Sequence, residues 1–182
     1  MSTLSYIKNF LKDPKVASIT PSSRFTVQKL SQYIDFREKI RILEFGPADG
    51  VYTRFFLEKM TDDSEVAAIE TNGDFVNALN KLDDIRLKVF MESAEKAGEI
   101  ASHLDWQEVD YIVSGIPFSF LDDDVKHDIL EQSSTILKKG GAFLGYQTSG
   151  HLKPYLKQHF PKVTTEMEYR NIPPMCIYIA RK

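Results

Sequence analysis

Two periodicities alternate along this chain. From Ile40 onward, short apolar runs closed by glycine, proline or charged residues read as strands. The longer stretches between them carry apolar residues three or four apart, as helices do. Strands are predicted near Ile40–Phe45, Glu65–Glu70, Arg86–Met91, Asp110–Ser114, Ala142–Gln147, Val163–Arg170 and Pro174–Ala180. Helices are predicted over Val51–Met60, Asp74–Lys81, Ala94–Leu104, Asp122–Lys138 and Leu152–Phe160, with Gly140-Gly141 stopping the fourth of these. This order predicts an α/β fold, a mostly parallel sheet with helices on both faces. The last two strands are joined only by Asn171-Ile172-Pro173, too short for a crossover, so they are predicted to form an antiparallel hairpin.

Ahead of this core, Leu4, Ile7, Phe10 and Leu11 repeat at helical spacing among Lys8, Lys12 and Lys15. Such a short basic amphipathic helix either lids a core or lies in a membrane interface. Ile19-Thr20-Pro21-Ser22-Ser23-Arg24 follows, a turn whose serines can cap a helix over Arg24 to Ile34. A capped helix start beside an arginine also suits a phosphate or carboxylate, which makes Ser23 and Arg24 candidate ligand residues. Residues 1–182 are expected to form one domain, with 1–36 a helical extension and 37–182 the core.

Composition narrows the classes. The chain has 182 residues, 42% of them hydrophobic and 27% charged, ordinary values for a soluble globular protein. Its single cysteine, Cys176, excludes an internal disulfide and a multi-cysteine zinc site, and His103, His127, His151 and His159 show no metal-ligand spacing. No metal is expected. Neither a signal peptide nor a membrane-spanning apolar run is seen, so a cytoplasmic location is the expectation. The net charge of −3 is uneven: residues 1–41 hold eight Lys/Arg against three acids, leaving −8 on the remainder. A basic leading segment on an acidic body points to an anionic partner at that end, or to solvated helix faces.

The chemistry is concentrated after the first strand, where Glu44-Phe45-Gly46-Pro47-Ala48-Asp49-Gly50 runs into the Val51 helix. Strand, glycine turn and helix start form a nucleotide-cofactor cradle. Glu70, at the end of the next strand, is placed to take both ribose hydroxyls. The glycine spacing differs from Gly-x-Gly-x-x-Gly, and Glu44 beside the turn would repel a pyrophosphate but suit a cationic ligand. Ligands of such sheets lie at the carboxyl ends of strands. That draws attention to Glu92 and Ser93, with Ser93 also a helix cap; to Ser114-Gly115-Ile116-Pro117-Phe118; and to Tyr146 and His151.

The Glu-x-Gly-x-Ala-x-Gly run resembles the first motif of class I S-adenosylmethionine-dependent methyltransferases. With Phe10…Pro14…Ile19-Thr20-Pro21-Ser22-Ser23, Ser114-Gly115-Ile116-Pro117 and Asn171-Ile172-Pro173-Pro174, nearly the whole chain is similar to bacterial phospholipid N-methyltransferases, which methylate the ethanolamine headgroup. The resemblance implies a Rossmann-like seven-stranded sheet. It implies S-adenosyl-L-methionine as cofactor, with S-adenosyl-L-homocysteine as product, held by Glu44, Gly46, Ala48, Gly50, Glu70, Glu92, Ser93 and Ser114. It further implies an amine-bearing acceptor, a lipid or small molecule, bound by Ser23, Arg24, Gly115, Ile116, Pro117 and Phe118, with Tyr146, His151 and Phe118 as catalytic candidates. Phe118, Phe120, Tyr52 and Tyr146 would form an aromatic wall for a cationic headgroup. Gly115 stands where methyltransferases that act on nitrogen commonly carry Asn or Asp, so a planar nucleobase amine would miss its side-chain acceptor and a bulky or tetrahedral amine would gain room. Residues 1–15 are then expected to touch the inner face of the membrane, the protein acting as a monomer without nucleic acid. Departures are Ala48 for glycine, Glu92 for aspartate and Phe118 where leucine is common. The rival expectations are an rRNA adenine N6-methyltransferase-like enzyme, disfavoured by Gly115, the missing helical domain and an acidic pI of about 5.8, a small-molecule methyltransferase, and a non-catalytic binding module.

Overall fold

The computed structural model describes residues 24–182. The basic helix expected at 1–15 and the turn through Ser23 lie outside the described residues.

Seven strands form one sheet in the order β3-β2-β1-β4-β5-β7-β6. They are β1 (Arg41–Phe45), β2 (Glu65–Ile69), β3 (Leu87–Phe90), β4 (Val109–Ser114), β5 (Leu137–Gln147), β6 (Lys162–Glu168) and β7 (Met175–Arg181). Strands β1 to β5 pair in parallel, and β7 runs antiparallel to both β5 and β6. Strand β6 ends at Glu168, so residues 169–174 make the link, longer than the expected Asn171–Pro173 but still too short for a crossover. The helices are α1 (Arg24–Ser31), α2 (Val51–Lys59), α3 (Gly73–Asn80), α4 (Ala97–His103), α5 (Asp123–Ile136) and α6 (Leu152–His159). No helix among the described residues is long and apolar enough to cross a membrane.

Strand pleating divides the core in two. Leu43, Phe45, Ile69, Ile112 and Phe143 face one way, against Ala97 and Ile100 of α4, Ile129 and Leu130 of α5, and Leu152 and Leu156 of α6. Ile42, Val66, Val113, Leu144, Ile177 and Ile179 face the other way, against Val27 and Leu30 of α1 and Tyr52 and Phe56 of α2. Glu44 alternates with Leu43 and Phe45 and so falls on the α1–α2 face, where α2 meets it.

One expectation is corrected here. Gly140-Gly141 does not stop a helix: α5 ends at Ile136, Leu137 turns extended, and β5 has already begun. Leu137 is fully buried and pairs with Val109, yet Tyr111 pairs with Ala142, so the intervening residues of β5 bulge. Gly140 has φ +83°, and a Cβ on Gly141 would lie 2.7 Å from the Asp110 carbonyl. The glycines serve the bulge, where two backbones pass closely.

Candidate functional site

The chain leaves β1 at Gly46, whose N–H still donates to the Ile69 carbonyl at 2.9 Å. Gly46, Ala48 and Gly50 then take left-handed backbone conformations at φ 63°, 51° and 75°. That alternation folds the turn back over the strand ends. A Cβ on Gly46 would press on Ile116 at 3.2 Å and one on Gly50 on Leu79 at 2.7 Å, so both glycines answer close approaches as well as dihedrals. Gly50 caps α2 without any side-chain bond, which leaves the first N–H groups of the helix to a ligand.

Two carboxylates frame the turn. Glu70, buried just past β2, accepts the Ala48 N–H at 3.1 Å with one oxygen and the Asn72 N–H at 2.9 Å with the other. Burial raises its pKa against those backbone donors, which pull it down. Glu44 is 1% exposed. Its Oε2 accepts the Thr53 hydroxyl at 2.6 Å, and its Oε1 is buried with no partner. Burial pushes the Glu44 carboxyl up to about 8, with Glu70 adding to the effect. An orphaned buried carboxyl oxygen beside a glycine turn suits a cationic ligand, and these residues therefore fit S-adenosylmethionine, whose sulfonium and ammonium are both cations.

The other cofactor candidates lie on the same edge. Ser93 caps a short 3₁₀ turn, accepting from the Glu95 N–H at 3.4 Å and donating to its carboxylate at 2.7 Å. Glu92 beside it is exposed. Ser114 is buried at the end of β4, its Oγ accepting from Ile116 N–H at 3.4 Å.

The acceptor side differs from the expectation in an informative way. A side chain at Gly115 would project onto the Tyr146 hydroxyl, with the Tyr146 Cζ at 2.8 Å and the Gly46 carbonyl at 3.0 Å from its Cβ. The room expected for a tetrahedral amine is thus occupied by a phenol. Tyr146 stacks on Tyr52 with ring centroids 4.4 Å apart and planes 26° from parallel. Phe118, expected on this wall, is 1% exposed and meets Phe143 edge-on at 6.4 Å. Its ring is drawn into the core because Phe143 of β5 and the helices beyond it offer more apolar contact than the rim does. Pro117 starts the 3₁₀ turn Phe118–Phe120, leaving Phe120 43% exposed at the rim. His151 is exposed at the start of α6, with no hydrogen bond or ion pair among the described residues. Arg24 opens α1, exposed, its guanidinium 5.1 Å from the Phe25 ring centroid.

Three residues not singled out from the sequence also shape the site. Thr53 holds Glu44. Gln147 accepts the Phe118 N–H at 3.3 Å and donates to the Ser149 carbonyl at 3.3 Å, tying the loops after β4 and β5 together. Arg170 stands over Phe25 at 4.5 Å. The sequence signal for Thr53 is its position three residues into the helix after the cofactor turn; Gln147 and Arg170 carry none.

No family model matches the chain. Among curated proteins it is similar to an ornithine lipid N-methyltransferase of Singulisphaera acidiphila, 22% identical over 177 residues that span 96% of this chain and 92% of that one. Solved structures of the same fold include precorrin-6y C5,15-methyltransferase from Geobacter metallireducens, at TM-score 0.71 and 11% identity over 91% of this chain and 92% of the other. A second is 1,6-didemethyltoxoflavin-N1-methyltransferase from Burkholderia thailandensis, bound to its substrate and S-adenosylhomocysteine, at 0.70 and 15% over 99% and 86%. A third is the N-methyltransferase NodS from Bradyrhizobium japonicum with S-adenosylhomocysteine, at 0.68 and 11% over 100% and 99%.

Proposed function

We infer that this chain, a class I S-adenosylmethionine-dependent methyltransferase acting on nitrogen, methylates the headgroup amine of a lipid. The lipid part is carried by one observation, the placement of exposed apolar side chains. Of the five large ones among the described residues, Met91 (57% exposed) follows β3, Phe120 (43%) follows β4, and Tyr169 (75%) and Ile172 (81%) lie in the β6–β7 turn. That turn sits beyond the carboxyl end of β5, since Gln147 pairs with Cys176. All four therefore lie on the rim that carries the cofactor turn, and among the described residues only Ile85, ahead of β3, lies at the opposite rim. Apolar side chains spread along the rim that carries a site suit an apolar surface such as a bilayer. The full-length similarity to an ornithine lipid N-methyltransferase supports the same reading.

Bound S-adenosylmethionine supplies a methyl group made electrophilic by its sulfonium, so what is left to the chain is binding, orientation and proton handling. The turn Gly46–Gly50 and the start of α2 would hold the cofactor's polar backbone, Glu44 would face its positive charge, and Glu70 would accept from the ribose. An alkylammonium of pKa roughly 10 must lose a proton before its lone pair can attack. Tyr146, stacked and half-buried, offers an oxygen that accepts from the amine N–H and a ring face that favours a cationic headgroup. His151, exposed on the same rim, is the candidate to pass the proton to solvent. In this reading Arg24 would meet an acidic group on the acceptor, and the basic segment 1–15, which lies outside the described residues, would rest on an anionic leaflet at the inner face of the membrane.

The test incubates the full chain with methyl-labelled cofactor and vesicles containing phosphatidylethanolamine or an ornithine lipid. Label in the lipid amine is expected. Label only in RNA or in a soluble amine would overturn the lipid assignment, and no stabilisation by S-adenosylhomocysteine in a thermal shift would overturn the enzyme reading.

A further inference from the structure

The Asn171-Ile172-Pro173-Pro174 turn is not among the residues assigned to the cofactor, yet a buried hydrogen bond joins it to the start of α1. Asn171, 1% exposed, accepts the Thr26 hydroxyl at 3.1 Å and donates to the Pro173 carbonyl at 2.8 Å. Just before it, Glu168 is 3% exposed and receives three donors from Arg170. These are the backbone N–H at 2.9 Å, Nε at 2.8 Å and Nη2 at 2.7 Å. A buried carboxylate held by both edges of a fork fixes the guanidinium in place. It leaves Nη1 of Arg170 without a hydrogen-bond partner among the described residues.

The face of that guanidinium lies over Phe25, at 4.5 Å from the ring centroid, and Arg24 lies over the same ring at 5.1 Å. The two cationic carbons are therefore no further apart than the sum of those distances. Among the described residues Arg24 has no carboxylate partner, and Glu168 is paired with Arg170 alone. Stacking on one ring orients both forks without consuming their N–H groups. The position is also telling. Val27, one helical turn after Arg24, packs in the same cluster as Tyr52 and Ile177, and Tyr146 packs against that cluster. Helix α1 thus packs on the face of the sheet that carries Tyr146, and the β6–β7 turn that holds Arg170 lies beyond the carboxyl end of β5, where Tyr146 precedes Gln147.

We propose that Arg24 and Arg170, gathered on Phe25, bind the acidic group of the methyl acceptor, a phosphodiester or a carboxylate, while its amine lies at Tyr146. The substrate class is then an amine that carries its own anion. This rests on the amine-methylating reading above, and it adds Arg170 and the function of the Asn-x-Pro-Pro turn, which is to seat that arginine against α1.

The experiment titrates the full chain, saturated with S-adenosylhomocysteine, with four soluble probes by calorimetry: glycerophosphoethanolamine, Nα-acylated ornithine, ethanolamine and inorganic phosphate. One of the first two should bind about tenfold tighter than ethanolamine, and which one identifies the anion. Arg24→Gln and Arg170→Lys should each remove most of that advantage without changing affinity for S-adenosylhomocysteine or ethanolamine. Lysine keeps the charge and a partner for Glu168 but loses the planar fork, so the fold is retained. Equal binding of the anionic amines by wild type and both variants overturns the proposal, as does inorganic phosphate binding as tightly as either. If the vesicle assay shows lipid methylated equally by all three proteins, the lipid function stands and the arginine site falls. If no lipid is methylated but the variants still lose the anionic probes, the site stands and its ligand is soluble.

Discussion

The phenol of Tyr146 fills the space into which any side chain at Gly115 would have to grow. Its Cζ lies 2.8 Å from the Cβ that residue 115 lacks, and its ring is held there by Tyr52 at 4.4 Å. The polar oxygen nearest residue 115 thus comes from the fifth strand and not from the fourth. A hydroxyl both donates and accepts, but it lacks the paired geometry that reads a planar base edge.

That relationship is open to a double-mutant cycle. Gly115→Ala forces the added methyl against Tyr146 and toward the Gly46 carbonyl at 3.0 Å, and should destabilise the fold by about 1–3 kcal/mol. Tyr146→Phe removes the nearest atom, so the same alanine should cost less in that background, with a coupling above about 0.5 kcal/mol in urea denaturation. Additive effects would mean that the two residues do not compete for one space.

Ala48 stands in a left-handed conformation at φ 51°, between two glycines that share it. An alanine pays about 1 kcal/mol there, part of which glycine returns through its freer unfolded chain. Ala48→Gly should raise the melting temperature by about 1–3 °C and leave cofactor affinity at least as high. A lower melting temperature would show that the methyl packs well enough to outweigh the strain.

The parts of the fold that were legible depend on local pattern. Alternating periods foretold the seven strands, and the length of the Asn171–Pro173 link foretold the hairpin. Glu44, the alternating turn and Glu70 were legible because their spacing along one βαβ unit dictates their meeting. What failed was decided by distant partners. Gly140-Gly141 looks the same in a helix stop and in a bulge, and only the pairing of Leu137 with Val109 selects the bulge. Phe118 follows a proline at a strand end in either orientation, and Phe143 decides that its ring turns inward. Arg170 reads as an ordinary turn residue until Phe25, more than half the chain away, is brought beneath it.

His127 and His159 join α5 to α6 through a ring-to-ring hydrogen bond of 2.9 Å, which needs one neutral nitrogen as acceptor. Burial, and then the neighbouring His127, hold His159 below its ordinary value. A base depressed in the native state gives stability that is present above its unfolded pKa of about 6.5 and is lost as the pH falls below it. Both rings are half-buried, so solvent screening keeps the effect small. Between pH 7.5 and 5.5 the wild type should lose more stability than His127→Gln in paired urea titrations. Parallel losses would remove the pair from the pH response.

Glu44 titrates in the opposite sense. Its native carboxyl is pushed up to about 8, whereas an unfolded glutamate loses its proton near 4.5. Between those values the native state holds a proton that the unfolded state has released, so stability declines as pH rises through this window. Glu44→Gln keeps a partner for Thr53 and should flatten the decline, equalling or exceeding the wild type at pH 8. A bound sulfonium cofactor reverses the preference, because a cation beside Glu44 favours the carboxylate. Binding below pH 8 should then expel about one proton, and affinity for S-adenosylmethionine should climb with pH by at most about tenfold per unit. Calorimetry in buffers of different ionisation heat counts that proton directly. Wild type should release it and Glu44→Gln should not, while binding more weakly. A wild-type count of zero at pH 7 would mean that Glu44 keeps its proton against the cation and serves only to anchor α2 through Thr53.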